Sequence, residues 1–298
     1  YQRQVEIRAR WVLSATEYVL ARYQPDLLLV STDAAQALQA PFLLLDERQP
    51  GYSPEQVAGA SRRVCAGCRL ADEAISLLMD RLDLRTSNLL VVSDHGMAPV
   101  HTQVHLNALL RQAGLLLELP GAAGVNRQRS RALAIGSGGA AHIQINLRGR
   151  ERGGIVPTES YASVQDEIVA RLQALQGTAE TPLFARILRR QELGNLNLES
   201  DSAGDVFVQA APGVCLSDSL GAASVLDAPP VLGASGYDAT TLPMLGVFVA
   251  AGPRWQQGIE GGPVHVCDMA PTVADLLSLT PPGTCTGRVL SELMLPKQ

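Results

Sequence analysis

Leu89-Leu90-Val91-Val92-Ser93-Asp94-His95-Gly96-Met97 joins a short aliphatic run directly to three polar residues and a glycine. A continuous apolar run that stops this abruptly has the pattern of a strand buried on both faces of a parallel sheet. Asp94 and His95 then stand side by side where the strand ends, offering an oxygen and a nitrogen donor as a Zn2+ site requires, and Gly96 lets the chain turn away. The same residues also fit a polar turn with a capping Asp and a surface His, so the neighbouring sequence has to decide.

Upstream, Val5, Ala9, Val12, Thr16, Val19, Leu20 and Tyr23 recur at intervals of three and four, which predicts an amphipathic helix ended by Pro25. A second aliphatic run at 26–31 predicts another buried strand, and Asp33 follows it. Gln49-Pro50-Gly51-Tyr52-Ser53-Pro54 reads as a surface loop, and Val57, Val64, Cys68, Ala71, Ile75, Leu78 and Leu82 line one face of a second helix. The order α-β-α-β predicts an α/β fold, a doubly wound, mostly parallel sheet flanked by helices. In such sheets the ligand site lies beyond the carboxyl ends of the strands, where this reading puts both Asp33 and Asp94-His95.

Downstream the pattern loosens. Residues 99–230 read as an inserted α+β subdomain, with a helix near 106–116, a glycine-rich loop at 136–139, an alternating strand at 142–147 and a helix near 164–175. The apolar run at 245–250 returns to the core, and a last helix begins near Asp268, with Pro271 in its first turn. The expected division is therefore 1–98 and 231–298 for the core and 99–230 for the insertion, which is expected to border the pocket and contact substrate.

Composition narrows the partners. The chain of 298 residues is 46% hydrophobic and 18% charged, with a net charge of -5, enough for a full core and against a broad phosphate-backbone surface for nucleic acid. No apolar run reaches the roughly 18 residues that span a bilayer, and the start at Tyr1 has no signal-peptide pattern, so localisation is not encoded. Five cysteines are an odd, sparse set that does not make a disulfide framework. Oligomeric state is not legible in any of these features.

Four segments in order resemble the alkaline phosphatase superfamily, close to its type I phosphodiesterase/nucleotide pyrophosphatase relatives. They are Pro25-Asp26-Leu27-Leu28-Leu29-Val30 into Asp33; Ser93-Asp94-His95-Gly96-Met97; Gly236-Tyr237-Asp238 with Pro243-Met244, Phe248 and Gly252-Pro253; and Asp268-Met269-Ala270-Pro271-Thr272 with Leu276-Leu277 and Gly287-Arg288-Val289-Leu290. The resemblance implies a hydrolase of small phosphate esters or diesters that holds two metal ions, usually Zn2+, about 4 Å apart to clamp the attacking and departing oxygens. It implies Asp94 and His95 as ligands of the nucleophile-side ion and Asp33 as a ligand of its partner. Another divalent ion would meet the same donors.

The chain departs from that pattern in three places. Ala37 and Ser235 stand where the resemblance implies histidines, leaving the partner ion with Asp33 alone, so one Zn2+ site is expected and the second is expected to be weak or absent. The nucleophile and a first ligand Asp would lie upstream of the 26–31 strand. Only the first helix precedes that strand, and Ser14 and Thr16 fall inside the helix, so the catalytic nucleophile is not identified and an upstream segment is expected. Two readings follow: a metal-dependent hydrolase, and an inactive relative acting as a binding or scaffold module. A co-substrate-independent phosphoglycerate mutase would need a different ligand set.

Other candidates read as structural. Cys65 and Cys68 have zinc-ribbon spacing but no second pair, and fit buried helix positions. The loop at 136–139 lacks the following helix of a phosphate loop and reads as mobile. His101 and His105 read as a solvated pair near a helix start, and His142 and His265 as lone histidines.

Overall fold

Val5, Ala9 and Thr16 are the buried residues of a 22-residue helix, α1 (Gln2–Tyr23), so the predicted apolar face is the one that packs. Gln24 ends it in the left-handed conformation at φ 45°, its N–H donating to the Leu20 carbonyl, and Pro25 follows. The structure is a computed structural model that describes residues 1–296 apart from 123, 176, 178–180 and 197.

Two more helices follow, α2 (Ala34–Phe42) and α3 (Pro54–Arg81), then strands β1 (Leu89–Val92) and β2 (Ala98–His105) and helix α4 (Leu106–Gln112). Strands β3 (Ala132–Ile135) and β4 (Ala140–Ile145) precede helix α5 (Tyr161–Leu175). After it come β5 (Phe184–Arg189), β6 (Val206–Ala210), β7 (Gly213–Ser217), β8 (Leu226–Asp227), β9 (Gly233–Ala234), β10 (Phe248–Ala251) and helix α6 (Met269–Leu276). The architecture is α/β, with sheets flanked by helices.

The chain forms two compact units. The first comprises Tyr1–Ala35, Ala66–Gly96 and Leu245–Gln298. In it β1 pairs antiparallel with β10, from Leu89 opposite Ala251 to Val92 opposite Phe248. Buried Asp268 organises the entry to α6: its carboxylate accepts the backbone N–H groups of His265 (3.1 Å) and Arg288 (2.9 Å). These bonds, the one from Arg288 first, hold its pKa below the usual carboxylate range.

The second unit comprises Gln36–Cys65 and Met97–Met244. One sheet has the order β7-β2-β8, with β9 also on β2, and β2 runs parallel to β7. The other has the antiparallel order β3-β4-β6-β5. Leu106, Leu110, Ile143, Ile145, Ile168, Leu172, Val206 and Leu216 form its core. At that core's margin, Asp205 is fully buried and accepts a two-pronged bond from Arg150 (2.7 Å each), the Tyr161 hydroxyl (2.9 Å) and the Ile145 N–H. Burial, with that bond to Asp205, pushes the Tyr161 phenol up to about 12.

Two expectations are corrected here. Residues 26–31 are not a strand, and Leu27 and Leu29 are 48% and 83% exposed. A strand needs a neighbour for its backbone groups, and among the described residues none pairs with this run. Leu89–Val92 is a strand as expected, but its pairing is antiparallel and it is only partly buried; the parallel pairing occurs instead between β2 and β7. An aliphatic run records a tendency to be buried, whereas strand direction depends on a distant partner.

Candidate metal centre

The β1–β10 pairing delivers Ser93, Asp94 and His95 at the end of β1, all within the first unit. The Asp94 Oδ1 accepts the His95 backbone N–H at 3.0 Å, and His95 Nε2 lies 3.7 Å from that same oxygen. His95 Nδ1 is 2.8 Å from the Gly96 carbonyl oxygen. A carbonyl only accepts, so Nδ1 carries a ring proton, and in the neutral ring it is Nε2 that keeps the lone pair. This is the arrangement by which a backbone carbonyl orients a metal-binding imidazole.

Whether the pair fits an ion is a matter of spacing. Two ligands about 2 Å from Zn2+ at a tetrahedral angle lie roughly 3.3 Å apart. The 3.7 Å separation is close to that, and the Asp94 side chain is 78% exposed, so a small rotation closes the difference. Asp94 and His95 fit as two ligands of one ion.

Asp33 has a different neighbour. It stands just ahead of α2, where a carboxylate is favoured by the helix dipole, and its Oδ2 is 2.7 Å from the Arg8 guanidinium of α1. Among the described residues no group of three or more His, Cys, Asp or Glu side chains gathers as a metal site. Asp94 and His95 are thus brought together, while Asp33 is engaged with Arg8. Arg8 was missed in the sequence because one charge on a helix surface carries no pattern.

Ala37 lies in α2 and Ser235 just after β9, both in the second unit. The glycine-rich loop at 136–139, read as mobile from its composition, is pinned against the Ser235 segment. Gly138 and Leu216 exchange backbone hydrogen bonds of 3.1 and 2.7 Å, Gly139 N–H donates to the Ser235 carbonyl at 2.7 Å, and Ala210 N–H donates to Gly139. A methyl group at Gly139 would sit 2.5 Å from the Gly236 carbonyl carbon, so the glycines serve close backbone approach.

The remaining histidines differ from the sequence reading. His101 and His105 lie on β2, and His105 is the N-cap of α4, so the expected helix start is there, but the pair is not solvated: His105 is only 9% exposed. Burial and then the Arg48 charge push the His101 pKa below its ordinary value. His142 accepts the Gly204 N–H at Nδ1 (3.2 Å), and burial followed by Arg190 lowers its pKa too. Cys65 and Cys68 are on α3 but exposed, against the expected burial, while Cys215 is buried and its thiol is pushed up to about 11 by that burial.

A family model, type I phosphodiesterase/nucleotide pyrophosphatase, matches residues 2–238. The chain belongs to this family. No curated protein matches the sequence. Among solved structures, human ectonucleotide pyrophosphatase/phosphodiesterase 5 is similar at 16% identity with a TM-score of 0.60, over 98% of this chain. The murine protein, in an inactive form in complex with AMP, is similar at 16% identity with a TM-score of 0.62, again over 98% of this chain. At this identity the likeness concerns the fold, and it places the chain in the α/β architecture of this phosphodiesterase family. The chain spans 64% of the length of these solved relatives. Among the described residues, no helix is long and apolar enough to cross a membrane.

Proposed function

We propose that this chain forms part of a metal-dependent hydrolase of small phosphate esters or diesters, with Asp94 and His95 as ligands of one Zn2+ or similar divalent ion and Asp33 as the donor toward a second, weaker position. The observation that carries the reading is the His95 ring, whose Nδ1 is tied to the Gly96 carbonyl while Nε2 stays free beside the Asp94 carboxylate. When bound, such an ion polarises a phosphate oxygen and lowers the pKa of a bound hydroxyl. Asp94 supplies the negative charge, and His95 in its neutral form a nitrogen whose direction is fixed before binding. The murine relative's complex with AMP supports a substrate of nucleotide size.

A second reading, a binding or scaffold module without turnover, is favoured by Ala37 and Ser235. A methyl cannot coordinate, and a neutral hydroxyl is a far poorer ligand than the imidazole the family resemblance implies.

Calorimetric titration of the chain with Zn2+, alongside Asp94→Asn and His95→Ala, tests the metal site common to both. One tightly bound ion is expected, apart from the weaker position at Asp33, with its affinity falling by tenfold or more in either variant, on the order of what loss of a ligand-shell group costs. Wild-type affinity in both variants would remove Asp94 and His95 from the site. Turnover of a nucleotide diester by a family-length chain that carries these residues then separates hydrolase from module.

A further inference from the structure

We infer that Ser93 and Gly246 are positioning residues that end the β1–β10 ladder and aim Asp94 and His95, a reading that rests on the metal site proposed above. The ladder's register, Leu89 opposite Ala251 through Val92 opposite Phe248, places Ser93 opposite Val247 as the next pair. Ser93 N–H donates to the Val247 carbonyl at 2.9 Å, as a continuing ladder demands. The return bond is different. Val247 N–H donates to the Ser93 side-chain Oγ at 2.7 Å, the place an antiparallel pair gives to the Ser93 backbone carbonyl.

The side-chain hydroxyl therefore substitutes for the residue's own carbonyl. That acceptor swap satisfies Val247 while releasing the Ser93 peptide from the strand direction, and the next two residues are Asp94 and His95. Gly246 makes room for the displaced carbonyl: a Cβ there would lie 2.5 Å from Ser93 O and 2.9 Å from Ser93 Oγ. Gly246 is needed for space, since its backbone φ is not in the left-handed region. An alanine acceptor is impossible at 93, so Ser93→Ala returns Val247 N–H to the backbone carbonyl, adds a ladder pair and rotates the Asp94–His95 peptide. A threonine keeps the oxygen and should keep the swap.

The test has one arm without metal and one with it. In the metal-free protein, 15N NMR of the His95 ring reads its tautomer. Wild type and Ser93→Thr should show the Nδ1–H form, and Ser93→Ala and Gly246→Ala a shift toward a mixture, with far-UV circular dichroism unchanged. In the second arm, Co2+ affinity and its visible absorption spectrum should change in Ser93→Ala, the affinity by about tenfold, and recover in Ser93→Thr. A wild-type ring signal in both Ser93→Ala and Gly246→Ala overturns the inference whatever the metal does. A shifted ring signal together with no Co2+ binding by wild type upholds the positioning and instead sinks the metal reading.

Discussion

Arg8 and Asp33 form an ion pair of 2.7 Å between α1 and the residue ahead of α2, with side chains 53% and 55% exposed. A guanidinium thus stands against the carboxylate that the family resemblance makes a metal donor, and a cation arriving there has to compete with it. Pairs this exposed contribute little to stability, so Arg8→Ala is expected to change unfolding free energy by less than about 1 kcal/mol. Zn2+ affinity at the Asp33 position is expected to rise roughly three- to tenfold, the scale of removing one exposed positive charge from beside a divalent ion in high dielectric. Calorimetry of the two proteins at low and high salt reads this. Unchanged or weaker binding in the variant would take Asp33 out of the metal site.

Asp205 gathers several donors in the second unit. It is fully buried, and Arg150, Tyr161 and the Ile145 N–H all donate to it. Asp205→Asn removes the buried charge that Arg150 pairs with, leaving Arg150 with Glu151, and is expected to cost about 1–3 kcal/mol. Urea unfolding measures this; a loss below about 1 kcal/mol would mean that water takes over the role of the carboxylate.

Acid should weaken the second unit before the carboxylates titrate. His101 and His142 both have pKa values below the ordinary 6.5, chiefly through burial, with Arg48 and Arg190 adding to the effect. A group whose folded form resists protonation lets the unfolded chain bind the proton first. The stability these two sites allow is therefore full above about pH 7 and declines as pH falls through the unfolded value near 6.5. The melting temperature is expected to drop between about pH 7.5 and pH 5.5. In the double variant His101→Gln/His142→Gln the slope should flatten; an equal slope would assign the acid sensitivity to other groups.

Turnover offers a fourth check. Ser14 and Thr16 both lie within α1, and the Thr16 hydroxyl donates to the Val12 carbonyl at 2.8 Å, so neither is presented as an alkoxide. The 298-residue chain with Zn2+ is expected to hydrolyse a chromogenic phosphodiester no faster than the metal-only blank. Turnover well above that blank, abolished by His95→Ala, would show that a hydroxyl in this chain serves as nucleophile.

What the sequence determined by itself is what local pattern can carry. The three-and-four spacing of Val5, Ala9 and Thr16 located α1, the apolar run at Leu89–Val92 located β1, and Asp94-His95-Gly96 was legible as the polar segment at its end. Helical periodicity and adjacent donors are properties of neighbouring residues, so they survive without knowledge of the rest of the chain. Only the tertiary structure decided that residues 26–31 lack a strand partner, that β1 runs against β10, that the loop at 136–139 is clamped to Ser235, and that Arg8 reaches Asp33. Each of those depends on a partner distant in sequence. Hydrophobicity says that a segment prefers to leave water, but hydrogen-bond pairing, close glycine contacts and ion pairs are chosen by which surfaces meet, and that information lies outside any local stretch of residues.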